Sequence, residues 1–240
     1  MNRRQRTIVG VWAHPDDEAY LSAGLMAAAR RRGDRVIVIT ATLGEHGTVD
    51  GAQRAPADTA RLREAELRAS LAQLGVDELR LLGYEDGGCE AVAGEPVVAE
   101  LLAELRPDLV VTFGPEGMTG HPDHRAVSRW VTGARDLVAP QAELWWATQD
   151  DAFHRRWSGL NDEIGLWAEQ PHPPCTPQGE LAWQVRLSGR DLTQKIAALR
   201  AHASQTGPLE SMVGASTYAE WWSVESFRTA TSIEPNVIAA

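Results

Sequence analysis

Short apolar runs alternate with amphipathic stretches from residue 8 to residue 147, and this alternation restricts the fold more than any other feature of the chain. Ile8–Ala13, Arg35–Thr42, Leu79–Leu82, Leu109–Phe113 and Leu144–Ala147 read as short buried strands rich in β-formers. Between them, Asp16–Arg32, Asp58–Leu74, Pro96–Leu105 and about Pro122–Leu137 repeat apolar residues at helical spacing. Gly33 and Gly75 close the first two helices, and Arg106-Pro107 stops the third. Strands that alternate with helices pair in parallel, because each helical crossover carries the chain back to the end of the sheet where the previous strand began. The expected fold class is therefore α/β, a Rossmann-like, mainly parallel sheet with helices on both faces. Residues 1–240 read as a single domain.

Past Ala147 the pattern loosens. Pro171, Pro173, Pro174 and Pro177 stand among scattered tryptophans, which predicts an irregular cap or long loop over about 150–180. A strand at Ala182–Leu187 and a helix over Asp191–Ala203 return the chain to the body. The remainder carries Trp221-Trp222 and a polar ending expected to be partly mobile.

A net charge of −10 excludes a dedicated nucleic-acid binder, which needs a basic face. All but one of the 23 cationic residues are arginine, so Schiff-base chemistry has a single candidate, Lys195. Cys89 and Cys175 lack metal-cage spacing and suggest no disulfide framework. Thr7–Ala13 is too short and too soon followed by charge for a signal peptide, and no apolar stretch is long enough to span a membrane. The expected location is the cytoplasm.

Two related motifs stand directly after strands: Ala13-His14-Pro15-Asp16-Asp17-Glu18 after the first, and Gly120-His121-Pro122-Asp123-His124 in the loop following the fourth. Ligands of open α/β sheets collect beyond the carboxyl ends of strands, so both motifs face one crevice, together with Glu45-His46 and Asp86 from the loops between them. A proline keeps the residue before it out of the helical region and itself fits the first helical position. His14 and His121 are thus expected as helix N-caps, with Asp17 and His124 three residues on at N3, close enough to share a metal. The acidic run 16–18 would also arise from favourable interaction with a helix dipole, but capping requires neither histidines nor a second copy. Histidine and carboxylate are the ligands of hydrolytic metal sites. Such a site keeps one coordination position open, so of four candidate ligands one has another task, and spacing alone does not choose it. A non-catalytic sugar- or nucleotide-binding module with a structural metal is the competing class; no GxGxxG follows the first strand to support a dinucleotide fold.

These motifs resemble those of the PIG-L/LmbE-like family of metal-dependent de-N-acetylases. The resemblance extends over about residues 7–206 through Thr42-Leu43-Gly44-Glu45-His46-Gly47, Arg63 with Glu66, Asp86, and Lys195 with His202-Ala203-Ser204-Gln205. It implies that His14, Asp17 and His124 bind the metal, zinc by default with Fe2+ or another divalent ion as alternatives. It implies that Asp16 is the general base, that protonated His121 stabilises the oxyanion or protonates the leaving amine, and that Asp123 orients His121. Arg63, Asp86 and His202 then contact substrate. The implied reaction removes an N-acetyl or related acyl group from an amino-sugar conjugate, a small-molecule partner; a thiol-conjugate or non-sugar amide is the alternative. The oligomeric state is left open.

The chain departs from that pattern in places. Thr119 stands where some relatives carry a tyrosine suited to polarising the substrate carbonyl, which directs attention to Tyr84 and Tyr218. Leu43 occupies a place often basic. Seven of the nine tryptophans lie beyond residue 140. Most tryptophans pack cores, but an aromatic cap would lay Trp157 or Trp167 against the acyl or aglycone side of a substrate. His154 and His172 read as solvent-facing.

Overall fold

The computed structural model describes residues 4–49, 54–167 and 173–230. The expected polar ending and His172 lie outside these residues. The strands are β1 (Thr7–Trp12), β2 (Arg35–Thr40), β3 (Glu78–Leu81), β4 (Leu109–Phe113), β5 (Glu143–Thr148), β6 (Leu181–Arg186) and β7 (Val224–Thr229). The helices are α1 (Asp17–Arg31), α2 (Pro56–Leu74), α3 (Glu95–Leu105), α4 (Pro122–Val138), α5 (Asp151–Glu163), α6 (Gly189–Ala201), α7 (Ala203–Val213) and α8 (Ala215–Trp221).

One seven-stranded sheet runs in the order β3-β2-β1-β4-β5-β7-β6. The first five strands are parallel, with β1 paired to β2 and β4. This is the mainly parallel α/β sheet that the alternation predicts. Strand order reverses at β1, so the crossovers on its two sides go to opposite faces: α1 and α2 pack with α6, and α3 packs on α4. β1, β2 and β4 are buried on both faces, which accounts for their nearly unbroken Val/Ile/Leu sequences. The reversal point lies between β1 and β4, the two strands that lead into the histidine motifs.

The last two strands turn the sheet's direction. β7 pairs antiparallel with both β5 and β6, placing the carboxyl-terminal part of the chain beside the parallel core. A buried ion pair ties this part to α1. Lys195 Nζ lies 2.9 Å from Glu225 Oε1, and both side chains are fully buried. Lys195 donates to the Tyr20 carbonyl, while the Glu225 carboxylate accepts from the Gly24 and Leu25 backbone amides. The sole lysine is thus a structural tie threaded into the ladder of α1.

The expected irregular cap contains a regular element. Residues 151–163 form α5, because the Asp150 side chain accepts from Phe153 N and caps the helix, and every proline of the region falls beyond residue 170.

Candidate active site

The loops at the carboxyl ends of β1 to β5 enclose a cavity of about 370 Å³. Its floor holds His14, Asp16, Asp17, Arg63, Asp86, His121 and His124, so residues from the ends of β1, β3 and β4 and from α2 meet as the topology requires.

The two motifs enter their helices differently. His121 is the N-cap of α4 with Pro122 at its first position, and its Nδ1 accepts from Asp123 N at 3.2 Å. The first motif departs from the expected geometry. α1 begins only at Asp17, so Asp16 and not His14 is the N-cap, and Asp17 is not at N3. Asp16 has a φ of 101°, which turns its N–H back onto Glu18 Oε2 at 3.0 Å. Left-handed backbone is costly for a residue with a Cβ and persists only where its surroundings hold it. Here Glu18 is the holder, and it is itself held: its Oε1 accepts from Ser70 Oγ at 3.1 Å and faces His202 Nε2 at 2.8 Å.

Ligand atoms of three residues gather around one point, with the two Asp17 oxygens facing one histidine each. His14 Nδ1 lies 3.1 Å from His124 Nε2, His124 Nε2 lies 3.4 Å from Asp17 Oδ1, and His14 Nδ1 lies 3.7 Å from Asp17 Oδ2. Ligands held at about 2.1 Å around a tetrahedral ion stand about 3.4 Å apart, so the set fits a divalent cation. Ring tautomers agree. His124 Nδ1 lies 3.0 Å from the Gly117 carbonyl, and His14 Nε2 faces Asp123 Oδ2 at 3.2 Å and Asp86 Oδ1 at 3.1 Å. Those outer nitrogens carry the hydrogens, leaving the inner lone pairs directed at the convergence point. His121 also brings a ring nitrogen to within 4.8 Å of those of His14 and His124, and a further group able to hold a cation, His14 with Asp86 and Asp123, uses the outer side of the His14 ring. There Asp123 already accepts from Gly87 N and Cys89 N, so its oxygens are committed.

Asp123 therefore supports His14, where the sequence reading assigned it to His121; its only link to His121 among the described residues is through its backbone N–H. The cause is the loop after β3, whose amides fix the carboxylate facing His14.

Electrostatics follow this layout. Burial opposes charge on His14, but hydrogen bonds to Asp123 and Asp86 and the Asp17 charge overcome it and raise its pKa to about 10. The same carboxylates favour a cation beside the ring. Burial, together with the charges of His14 and His121, pushes His124 well below its ordinary value, toward the neutral ligand form. Burial would raise Asp123, yet the bonds from His14, Gly87 and Cys89 bring it down to about 2. Asp16 is lifted to about 6 by burial, against the pull of Arg63.

Arg63, from α2, is 5% exposed and donates to the Gly44 and Pro15 carbonyls at 2.9 and 2.7 Å. It also reaches Asp16 Oδ2 at 3.3 Å. Gly44 is required here: a Cβ on it would stand 1.9 Å from the guanidinium, and its φ is +61°. Asp86 lines the cavity but is braced by the loop after β2, accepting from His46 N and donating its own N–H to Glu45. His202 is fully buried against Glu18 and does not line the cavity, so it stands behind Asp16 and not at the cavity surface where a substrate would lie.

Sequence reasoning missed most of the apolar lining, including Tyr20, Phe153, Leu166, Leu209 and Trp222, and one polar residue, Gln149. Gln149 directly follows β5, and the strand-end rule that located the motifs also flags it. Of the aromatic candidates, Trp167 lines the cavity, whereas Trp157 packs on Trp221 at 6.4 Å. Tyr84 packs on Trp130, and Tyr218 is fully buried with its hydroxyl on that of Tyr20. His154 is half-buried against the Pro174 carbonyl.

Comparison with known proteins agrees with this site. Residues 9–135 match the family model described as GlcNAc-PI de-N-acetylase, PIG-L. The chain belongs to this family. Relatives within it include the 1D-myo-inositol 2-acetamido-2-deoxy-alpha-D-glucopyranoside deacetylase of Corynebacterium glutamicum, 36% identical over 82% of this chain and 74% of that protein. The protein of the same name from Mycolicibacterium gilvum is 39% identical over 81% of this chain and 79% of its own length. The fold is shared with N,N'-diacetylchitobiose deacetylase from Pyrococcus horikoshii, with a TM-score of 0.62, 21% identity, and coverage of 94% of this chain and 84% of that one. The family match ends within α4, so it contains every residue of the His/Asp cluster and none of β5–β7.

Proposed function

We propose that this de-N-acetylase family member hydrolyses the N-acetyl group of an amino-sugar conjugate with the help of a divalent metal, zinc by default. One observation carries the reading: His14, Asp17 and His124 gather ligand atoms around one point, with Asp16 and His121 beside them on the same cavity. A closed structural metal site has no use for those two spare groups. The relatives named for an N-acetylated glucosaminyl-inositol support the amino-sugar class of substrate.

A divalent ion held by His14, Asp17 and His124 supplies Lewis acidity toward water and the amide carbonyl. The chain's own residues move the protons. Arg63 engages Asp16 Oδ2 and leaves Oδ1 to take a proton from the attacking water. A pKa of about 6 leaves Asp16 ionised at neutral pH yet basic enough to accept. Glu18 fixes the Asp16 backbone, so the carboxylate does not have to be ordered when substrate arrives. His121 Nδ1 accepts from Asp123 N, so its Nε2 carries the hydrogen and is the nitrogen available to donate to the tetrahedral oxyanion, while the proton that Asp16 takes from water is the one passed to the departing amine.

The test is amine release from N-acetylglucosaminyl compounds, free, nucleotide-linked and aglycone-linked. Release is expected to cease after chelation and to return with a divalent ion. No release from any member of the panel, with metal supplied, overturns the reading.

A further inference from the structure

The cavity has two unlike parts. Its floor carries the charged residues, and those charged groups are already engaged with one another. Its wall is built by Tyr20, Phe153, Leu166, Trp167, Leu209 and Trp222, all from α1 or from the chain beyond β5. Tyr20 and Trp222 pack with ring centroids 4.5 Å apart. The Tyr20 hydroxyl accepts from Tyr218, and the Trp222 Nε1 is a buried donor without a partner among the described residues. Gln149 adds an acceptor. It lines the cavity, is only 4% exposed, and its Oε1 is buried with no hydrogen-bond partner among the described residues. An unpaired buried acceptor is costly and marks a place where a ligand supplies the missing donor.

We infer that this wall is a subsite for an apolar substituent on the amide-bearing sugar, oriented by one hydrogen bond donated to Gln149 Oε1. The inference rests on the deacetylase reading and narrows its substrate class. A polyhydroxylated partner group, such as the inositol in the names of the relatives, would lose water from many hydroxyls against such a wall and recover few hydrogen bonds. An alkyl or aryl group loses nothing comparable and gains by burial. The substituent can enter as the aglycone or as a longer N-acyl chain; both present the same chemistry to the wall.

The experiment measures kcat/KM on the metal-loaded enzyme for two series. One varies the aglycone of N-acetylglucosamine from methyl to propyl, hexyl and phenyl, with the inositol glycoside included. The other lengthens the N-acyl group of methyl glucosaminide from acetyl to hexanoyl. Each methylene that enters the subsite is expected to raise kcat/KM by about fourfold at most, giving at least about tenfold across the responding series. Which series responds identifies the source. Leu209→Asn should flatten the dependence on chain length. Gln149→Leu should raise KM about tenfold on the responding substrates, and Gln149→Glu, which keeps the acceptor, should restore part of the loss. Flat series, or an inositol glycoside that outpaces the hexyl one, overturn the subsite while amine release keeps the deacetylase reading intact. Absence of release from every compound overturns that reading instead.

Discussion

Replacing Asp16 with asparagine should stabilise the metal-free protein while abolishing most of its turnover. Burial raises the Asp16 pKa from 3.8 to about 6, even with Arg63 opposing. One pKa unit is about 1.4 kcal/mol, so the ionised carboxylate costs the folded state roughly 2–3 kcal/mol above that pH. The sign runs opposite to that of a salt-bridged carboxylate. Between about pH 4 and pH 6 the folded protein binds more protons at this site than the unfolded chain, so stability falls as pH rises through that window. Asparagine has the same shape, tolerates the positive φ of 101° as aspartate does, and presents an amide oxygen to Arg63. It carries no charge to bury. Urea unfolding of the chelated proteins should show Asp16→Asn more stable by roughly 2–3 kcal/mol at pH 8, with the gap closing toward pH 4. Turnover of the metal-loaded variant should fall by about 10²–10⁴. An asparagine variant no more stable than the parent at pH 8, or a gap independent of pH, would refute the reasoning about burial.

Other expectations follow from the same contacts. His14→Ala and His124→Ala should abolish stoichiometric metal binding by elemental analysis, and Asp123→Asn should weaken it by about 10–100-fold, since Asp123 orients the His14 ring. Glu18→Gln places an amide among the donors of Asp16, Ser70 and His202; it should lower kcat by about 100-fold with metal content retained, the signature of a displaced base. Lys195→Met leaves the Glu225 charge buried and should cost about 3–5 kcal/mol in urea unfolding, most of which Lys195→Met/Glu225→Gln should recover.

Much of the fold is legible because a parallel sheet buried on both faces writes itself as apolar runs, and those runs end where the motifs begin. The details that escaped are those that depend on side chains meeting from far apart. Proline correctly marked the start of α4, yet α1 starts later because the distant support of Ser70 and His202 holds Glu18 against Asp16 N. Asp123 looked like a partner of its neighbour His121, but the Gly87 and Cys89 amides, from a loop more than thirty residues away, turn it to His14. α5 was hidden by the prolines beyond it, although Asp150 before an apolar-periodic stretch is an N-cap signal in its own right. Trp222 belongs to no motif; it reaches Tyr20 of α1 only through the antiparallel return of the chain into β7, for which no periodicity speaks.

That return also divides the chain into separable responsibilities. The His/Asp cluster is encoded wholly before residue 136, whereas most of the wall is encoded after β5. Exchanging the segment beyond β5 between relatives should therefore change which molecules are accepted without rewriting the reaction. The exchange has one mechanical condition. The incoming segment must bring both Lys195 and Glu225, since these plug into the middle of the helix that Asp16 caps and Asp17 begins. A donor lacking that plug would deliver new selectivity to a loosened reaction centre.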